Sequence, residues 1–290
     1  MKIYRILSLG AGVQSTVVYI KAMKGEIEGI DAAIFADTQE EPAEVYRHLE
    51  WMKSLGGPKI YVGTAGKLGD DLVKGKNQRR DGKGGRCATI PAFTAQTEGV
   101  KEGLTRRQCT YEYKLAVIDQ VFRREIVGLA PRQRMPKDIQ RQSLIGISID
   151  ESKRMLRIRD SHREKAPKWD LMPEFPLITQ AKTRADCLEY LDANCPHEVP
   201  RSACVFCPYH DNKEWRRLKA DPAIWKRIVE VDASLRVEGN AVNRGLRSKL
   251  YLHRSCLPIT QVDFGTAAED KAEAQLNLGF WKECLGMCGN

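Results

Sequence analysis

Along the first 65 residues the apolar positions alternate between two periods. Tyr4 to Leu9 (YRILSL) is a short, mostly apolar run that predicts a buried strand, broken by Gly10-Ala11-Gly12. From Gln14 to Met23 the apolar positions Val17, Val18, Ile20 and Met23 fall at helical spacing. Ala32 to Ala36 (AAIFA) predicts a second strand ending at Asp37-Thr38. Pro42 suits the first turn of a helix over Ala43 to Leu55, with Val45, Leu49, Trp51 and Met52 as apolar positions. Lys59 to Val62 predicts a third strand. Strand–helix–strand–helix–strand at this spacing predicts an α/β fold, a Rossmann-like doubly wound parallel sheet with helices on both faces.

Further on the pattern is less regular. Residues 66–100 are rich in glycine and charge (KGKNQRRDGKGGR) and are expected to form a mobile basic loop. A helix is expected over Tyr113 to Ile126 and a buried strand over Ser143 to Ile149, followed by the charged run Asp150-Glu151-Ser152-Lys153-Arg154. Trp169 to Ile178 is punctuated by proline, and Arg184 to Ala193 predicts a helix. From Asn194 the chain is rich in cysteine and aromatic residues. The expected division is a nucleotide-binding α/β domain over 1–193 and a cysteine-rich, metal- and substrate-binding region over 194–290.

Composition narrows the class. A chain of 290 residues, 42% hydrophobic and 29% charged, needs no disulfide staples, which excludes a disordered tail, a collagen-like chain and a disulfide-dense mini-domain. No run approaches 18 apolar residues and the start lacks a signal-peptide pattern, so a cytoplasmic protein with no membrane partner is expected. Its nine cysteines then read as metal or redox chemistry. The net charge of +9 is concentrated: Lys74 to Arg134 holds 14 Lys/Arg against six Asp/Glu. Such an excess suits a nucleotide or nucleic acid, or simply a solvated face.

The turn Ser8-Leu9-Gly10-Ala11-Gly12-Val13-Gln14-Ser15-Thr16 lies between a predicted strand and helix. Glycines there let backbone N–H groups approach an anion, and Ser15 and Thr16 add hydroxyls. It matches neither a Walker A loop nor GxGxxG. The segment resembles the PP-loop of the adenine nucleotide alpha hydrolase-like superfamily, Ser-Gly-Gly-x-Asp-Ser. Gly12 and Ser15 match, Gly10 and Ala11 replace the first serine and glycine, and Gln14 replaces the aspartate. Glutamine there is similar to the phosphoadenosine phosphosulfate (PAPS) reductase-like branch. Phe35-Ala36-Asp37-Thr38 with Pro42 to Tyr46 resembles that branch's adenosine-side segment. Leu144-Ile145-Gly146-Ile147 with Asp150 to Arg154 resembles its later Gly-x-Arg-x-x-Glu-Ser-x-Arg segment, with Ser148 where arginine is common. The resemblance implies ATP with Mg²⁺, bound by Ser8, Gly10, Ala11, Gly12, Gln14, Ser15, Thr16, Asp37, Thr38 and Gly146, with Ser15 also catalytic.

Cys204-Val205-Phe206-Cys207-Pro208 has the two-residue spacing at which both thiolates reach one metal centre. Further ligands must come from elsewhere, with Cys87, Cys109, Cys256, Cys284, Cys288 or His210 as candidates, while Cys187 and Cys195 read as structural thiols. Arg106 to Lys114 resembles the Cys-Cys-x-x-Arg-Lys segment of iron–sulfur adenylylsulfate (APS) reductases, with Thr110 in place of the second cysteine. The resemblance implies a [4Fe–4S] cluster on Cys109, Cys204 and Cys207, with Cys87 or another thiol as fourth ligand or an open iron, and Lys114 at the reaction centre. A zinc site on Cys109, Cys204, Cys207 and His210 is the alternative. Glu283-Cys284 echoes the terminal Glu-Cys of the same reductases, which makes Cys284 a candidate nucleophile or persulfide carrier.

Together these features point to an ATP-dependent enzyme that adenylylates its substrate and transfers sulfur to tRNA or DNA. A sulfur donor or thioredoxin-like reductant would be its partner. A sulfonucleotide reductase and a zinc-containing nucleic-acid-binding module are the alternatives.

Overall fold

A computed structural model describes residues 1–74, 90–95, 103–237 and 248–266. The chain opens with β1 (Lys2–Leu9), α1 (Val13–Met23), β2 (Ala32–Asp37), α2 (Ala43–Ser54) and β3 (Lys59–Thr64). Helix α3 (Leu68–Val73) and the two-residue strands β4 (Phe93–Thr94) and β5 (Gly103–Leu104) come next. Helix α4 (Ala116–Val121) continues at both ends into π-helical turns, Tyr111–Leu115 and Phe122–Ile126. Then follow β6 (Ile139–Ile145), α5 (Ser152–Lys165), β7 (Asp170–Glu174), α6 (Pro176–Thr179) and α7 (Arg184–Asn194). The remainder holds α8 (Asn212–Lys219), α9 (Pro222–Ser234) and β8 (Leu250–Tyr251).

Five strands form one all-parallel sheet in the order β3-β2-β1-β6-β7. The chain winds outward from β1 to β3, then crosses back to place β6 on the other side of β1. That reversal puts the topological switch point between β1 and β6, where a crevice opens at the carboxyl ends of an open α/β sheet. Alternation assigns the faces. Leu7, Leu9, Ala33 and Phe35 pack with α1, α2 and α7, whereas Ile6, Ile34 and Ala36 pack with Val117, Ile118 and Val121 of α4. Both faces are therefore covered, and β2 is buried over five consecutive residues as a central parallel strand requires. On β3, Gly63 has no room for a side chain: a Cβ would overlap Val121 and lie 2.8 Å from Val117.

A second apolar cluster lies off the sheet. It joins Leu68 and Leu72 of α3, Ile90, Ala92 and Tyr113 to Phe206, Trp215, Ile228, Val231 and Leu250. Residues before and after position 193 thus share one core, so the chain beyond it packs on the segment that follows β3. The short strands β5-β4-β8 form a small antiparallel sheet beside this cluster.

Several expectations shift. Within the expected mobile loop over 66–100, Leu68–Val73 is helical and Phe93–Thr94 is a strand; Leu68 and Leu72 are buried, which is what orders α3. Residues 75–89 and 96–100 lie outside the described residues. The expected strand over Ser143 to Ile149 starts and stops earlier, at Ile139–Ile145. Its ladder to β1 runs from Lys2↔Ile139 to Ser8↔Ile145, and beyond it Ile147 leaves the sheet to pack with Phe175.

Candidate functional site

The loop between β1 and α1 is shaped by backbone contacts. Ala11 has φ 55°, a left-handed conformation that costs an alanine about 1–2 kcal/mol, and it is fully buried. Gly12 is the N-cap of α1, and no side chain caps the helix there. The Ser15 hydroxyl folds back instead, accepting from Gly12 N–H at 3.3 Å and donating to Gly12 C=O at 3.1 Å. Ser15 therefore holds the turn, and the uncapped N–H groups of the first turn carry the positive end of the helix dipole.

Gly146, just past β6, packs directly on this turn. A Cβ there would lie 2.8 Å from Ser15 N and 2.9 Å from Gln14 C, both backbone atoms. Only glycine lets the two loops flanking the switch point touch. A polar network ties the same pieces together from the side. Gln14 Nε2 donates to Glu151 Oε2 at 2.9 Å, Arg184 Nη1 donates to Gln14 Oε1 at 3.3 Å, and Arg154 Nη1 donates to Glu151 Oε1 at 3.1 Å. The loop and the later segment are thus joined through Gln14. Nothing near Arg184 in sequence marks its contact with Gln14, made from the start of α7.

At the carboxyl ends of β1 and β2 a small cavity is lined by Ser8, Leu9, Gly10, Phe35, Ala36, Ile118 and Lys114. Asp37 ends β2, accepting from Gln39 N–H at 2.7 Å and from the Tyr46 hydroxyl at 2.9 Å.

A second cavity opens beside the first. Cys109, Cys204 and Cys207 line it with Thr38, Arg107, Thr110 and Lys114, and Leu68, Ile90, Pro91, Phe206 and Pro208 give it an apolar wall. Lys114 borders both cavities. The segment after β2 holds the CxxC loop in place. Val205 N–H donates to Glu40 C=O at 2.8 Å, the Thr38 hydroxyl meets Cys204 Sγ at 3.0 Å, and Ser202 donates to Glu41 Oε2 at 3.2 Å. Glu41 lies 3.8 Å from Lys114 Nζ; both side chains are buried, and burial pushes the Glu41 carboxyl above its usual range. Its neighbour Glu40 accepts from Gly69 N–H and from Arg227, which also grips Asp70 and Glu230. The Arg227 bond holds the Asp70 carboxyl below its usual range.

His210 does not join the three thiols. Its Nε2 bonds the Cys204 carbonyl at 2.9 Å, and its ring lines a different cavity with Tyr209, Asn212 and His253. Burial pushes its pKa down to about 3. The alternative Cys₃His zinc arrangement of Cys109, Cys204, Cys207 and His210 is not among the His/Cys donor groups that lie within 4.8 Å of one another in the described residues. Cys87 and Cys284 lie outside the described residues, as does Cys288. Of the basic stretch, Lys76, Arg79, Arg80, Lys83, Arg86 and Lys101 lie outside them too.

Among the described residues, one His/Cys group has its ligand atoms within 4.8 Å of one another: His48, Cys195 and His197. It stands on the α1–α2 side of the sheet. His48 Nε2 meets Thr16 Oγ1 and His48 Nδ1 meets His197 Nε2, each at 2.9 Å. Cys195, expected to be a structural thiol, is thus part of a potential metal centre. Sequence spacing does not reveal it, since His48 lies far from the other two in the chain.

No protein-family model matches this chain, and comparisons with curated proteins and with solved structures likewise find no match.

Proposed function

We propose that this protein is an ATP-dependent PP-loop enzyme of the PAPS reductase-like kind that adenylylates its substrate and then transfers sulfur to it, in tRNA or DNA modification. The observation that carries the reading is Lys114, which borders both the cavity at the β1 and β2 ends and the cavity lined by Cys109, Cys204 and Cys207. A nucleotide in the first and sulfur chemistry in the second would meet at that ammonium.

In this reading the turn from Gly10 to Ser15 receives the leaving pyrophosphate on its N–H groups and helix dipole, with Mg²⁺ sharing the charge. Ser8, Asp37 and Thr38 edge the adenosine side. A substrate oxygen attacks the α-phosphorus of ATP, a P–O bond forms, and pyrophosphate leaves with its electron pair. Hydrosulfide then attacks the activated carbon or phosphorus, the bond to the AMP oxygen breaks, and AMP departs as the sulfur bond forms. Lys114 neutralises the α-phosphate, and Glu41, 3.8 Å from its Nζ, helps to position the ammonium.

The donors support a metal–sulfur group in this reading: three cysteines of soft character line the pocket beside apolar residues, with no carboxylate among the lining residues. Cys109, Cys204 and Cys207 would hold a [4Fe–4S] cluster, which would supply an iron to bind hydrosulfide. The basic stretch from Lys74 to Arg134 would carry a nucleic-acid backbone.

The test is anaerobic incubation of the reconstituted protein with ATP, sulfide and bulk tRNA or DNA, followed by nucleoside mass spectrometry. A new sulfur-bearing nucleoside or linkage is expected, absent without ATP and absent with Cys204→Ser. Sulfite release from APS or PAPS in place of such a product would overturn the reading in favour of a reductase.

A further inference from the structure

Against α1, where Thr16 bonds His48, lies the His48–Cys195–His197 group. Three separate pieces build it: His48 from the middle of α2, Cys195 from the residue that closes α7, and His197 from the loop just after. Its nitrogen and sulfur donors lie within 4.8 Å of one another, graded from the buried His48, held on the Thr16 hydroxyl, to the exposed His197. We propose that these three side chains bind a zinc ion, with water in the fourth position, and that the ion fastens the end of α7 to α2 and, through Thr16, to the first turn of α1.

The hydrogen bonds suit a ligating tautomer. Thr16 is fully buried, with its hydroxyl 2.9 Å from His48 Nε2 and 3.9 Å from Met52 Sδ. With its proton on Nε2, His48 donates to the Thr16 oxygen. In that tautomer the Nδ1 lone pair faces His197 Nε2 at 2.9 Å. This is the arrangement of a metal-binding histidine, one nitrogen free to ligate and the other N–H fixed by an outer oxygen. Trp51 stacks on the His48 ring at 5.3 Å and takes the His197 ring edge-on at 5.0 Å, which holds both imidazoles in place.

The spacing is nearly that of a filled site. Tetrahedral zinc with Zn–N of about 2.0–2.1 Å holds two nitrogens about 3.3 Å apart. The observed 2.9 Å would have to open by only a few tenths of an ångström. His197 is exposed and lies in a loop, so it can supply that movement and leave a side open to water. Two imidazoles and a thiolate without a carboxylate favour zinc over magnesium or calcium. Binding releases one proton, from the Cys195 thiol, and involves no redox change.

The site is separable from the thiol pocket by experiment. Full-length protein, stripped of metal and held under reductant, is titrated with Co²⁺ and with Zn²⁺. In the Cys204→Ser/Cys207→Ser background, one equivalent of Co²⁺ should bind with tetrahedral d–d bands and a thiolate charge-transfer band. Adding Cys195→Ser should abolish the charge-transfer band and weaken binding at least tenfold. Zinc should raise Tm in that background and not in the Cys195→Ser derivative. Should the double variant fail to fold, the wild-type chain is compared with Cys195→Ser alone, which should bind one equivalent less. Unchanged stoichiometry and spectra on Cys195→Ser would overturn the proposal, whatever becomes of the sulfur-transfer reading.

Discussion

The two cavities that meet at Lys114 are built by different means. The β1–α1 loop is held by backbone: a left-handed Ala11, a glycine N-cap and Gly146 pressed against Ser15 and Gln14. The thiol pocket is held largely by side chains, with Arg227 bridging Glu40, Asp70 and Glu230 and an apolar cluster drawn from five stretches of chain. A backbone-built cradle is rigid and specific to shape, and it fails when a methyl group is added. A side-chain-built pocket tolerates shape changes and fails when a charge is left alone. The residues 37–42 belong to both, ending β2 on one side and anchoring Val205 and Cys204 on the other.

The largest effect should come from the thiol side. Arg227→Ala leaves Glu40 buried without its cation, a loss of about 3 kcal/mol or more in urea denaturation. Nucleotide affinity per folded molecule should change much less. Gly146→Ala should reverse that pattern, costing about 1–3 kcal/mol by overpacking and removing nucleotide binding measured by calorimetry. If Gly146→Ala bound ATP normally, the two loops would not form one cradle.

Two pH responses sharpen the contrast. Glu41 has a raised carboxyl pKa in the folded state, so the native form favours its proton. Its contribution is full below the ordinary carboxylate range and is lost as pH rises through the folded value. Stability of the wild type should therefore fall relative to Glu41→Gln as pH rises, by at most about 1.4 kcal/mol per unit. His253 behaves oppositely. Burial, assisted by Arg254, depresses its pKa from 6.5 to about 4, so its contribution is present above 6.5 and is lost as pH falls toward 4. His253→Gln should flatten that acid limb in denaturation curves. The smallest effect is expected at Ala11, where Ala11→Gly removes left-handed strain and should stabilise by up to about 1 kcal/mol.

The same contrast explains what the sequence made legible. β1, β2, β3, α1, α2 and the turn at Gly10 to Ser15 follow from local periods and glycine placement, and their expected boundaries lie within about two residues of those observed. The end of β6 was misplaced because Ile147 and Ile149 extend an apolar run that only the ladder to β1 terminates. Cys204 and Cys207 announce themselves by spacing; their neighbourhood with Cys109 and Lys114 was reached by resemblance. Glu40, Glu41, Arg184 and Arg227 carried no local signal, since each acts on a partner more than 60 residues away. The trio at His48 has the same cause, a contact between elements 147 residues apart in the case of Cys195, from 195 and 48.

The central claim is that nucleotide and sulfur chemistry share one site at Lys114. The direct measurement is the ratio of AMP and pyrophosphate released to sulfur incorporated into tRNA or DNA, for the wild type and for Lys114→Met. The account predicts one AMP and one pyrophosphate per sulfur in the wild type, and loss of all three in Lys114→Met. Sulfur incorporated without AMP formation, or a Lys114→Met protein that keeps the one-to-one ratio at full rate, would contradict it.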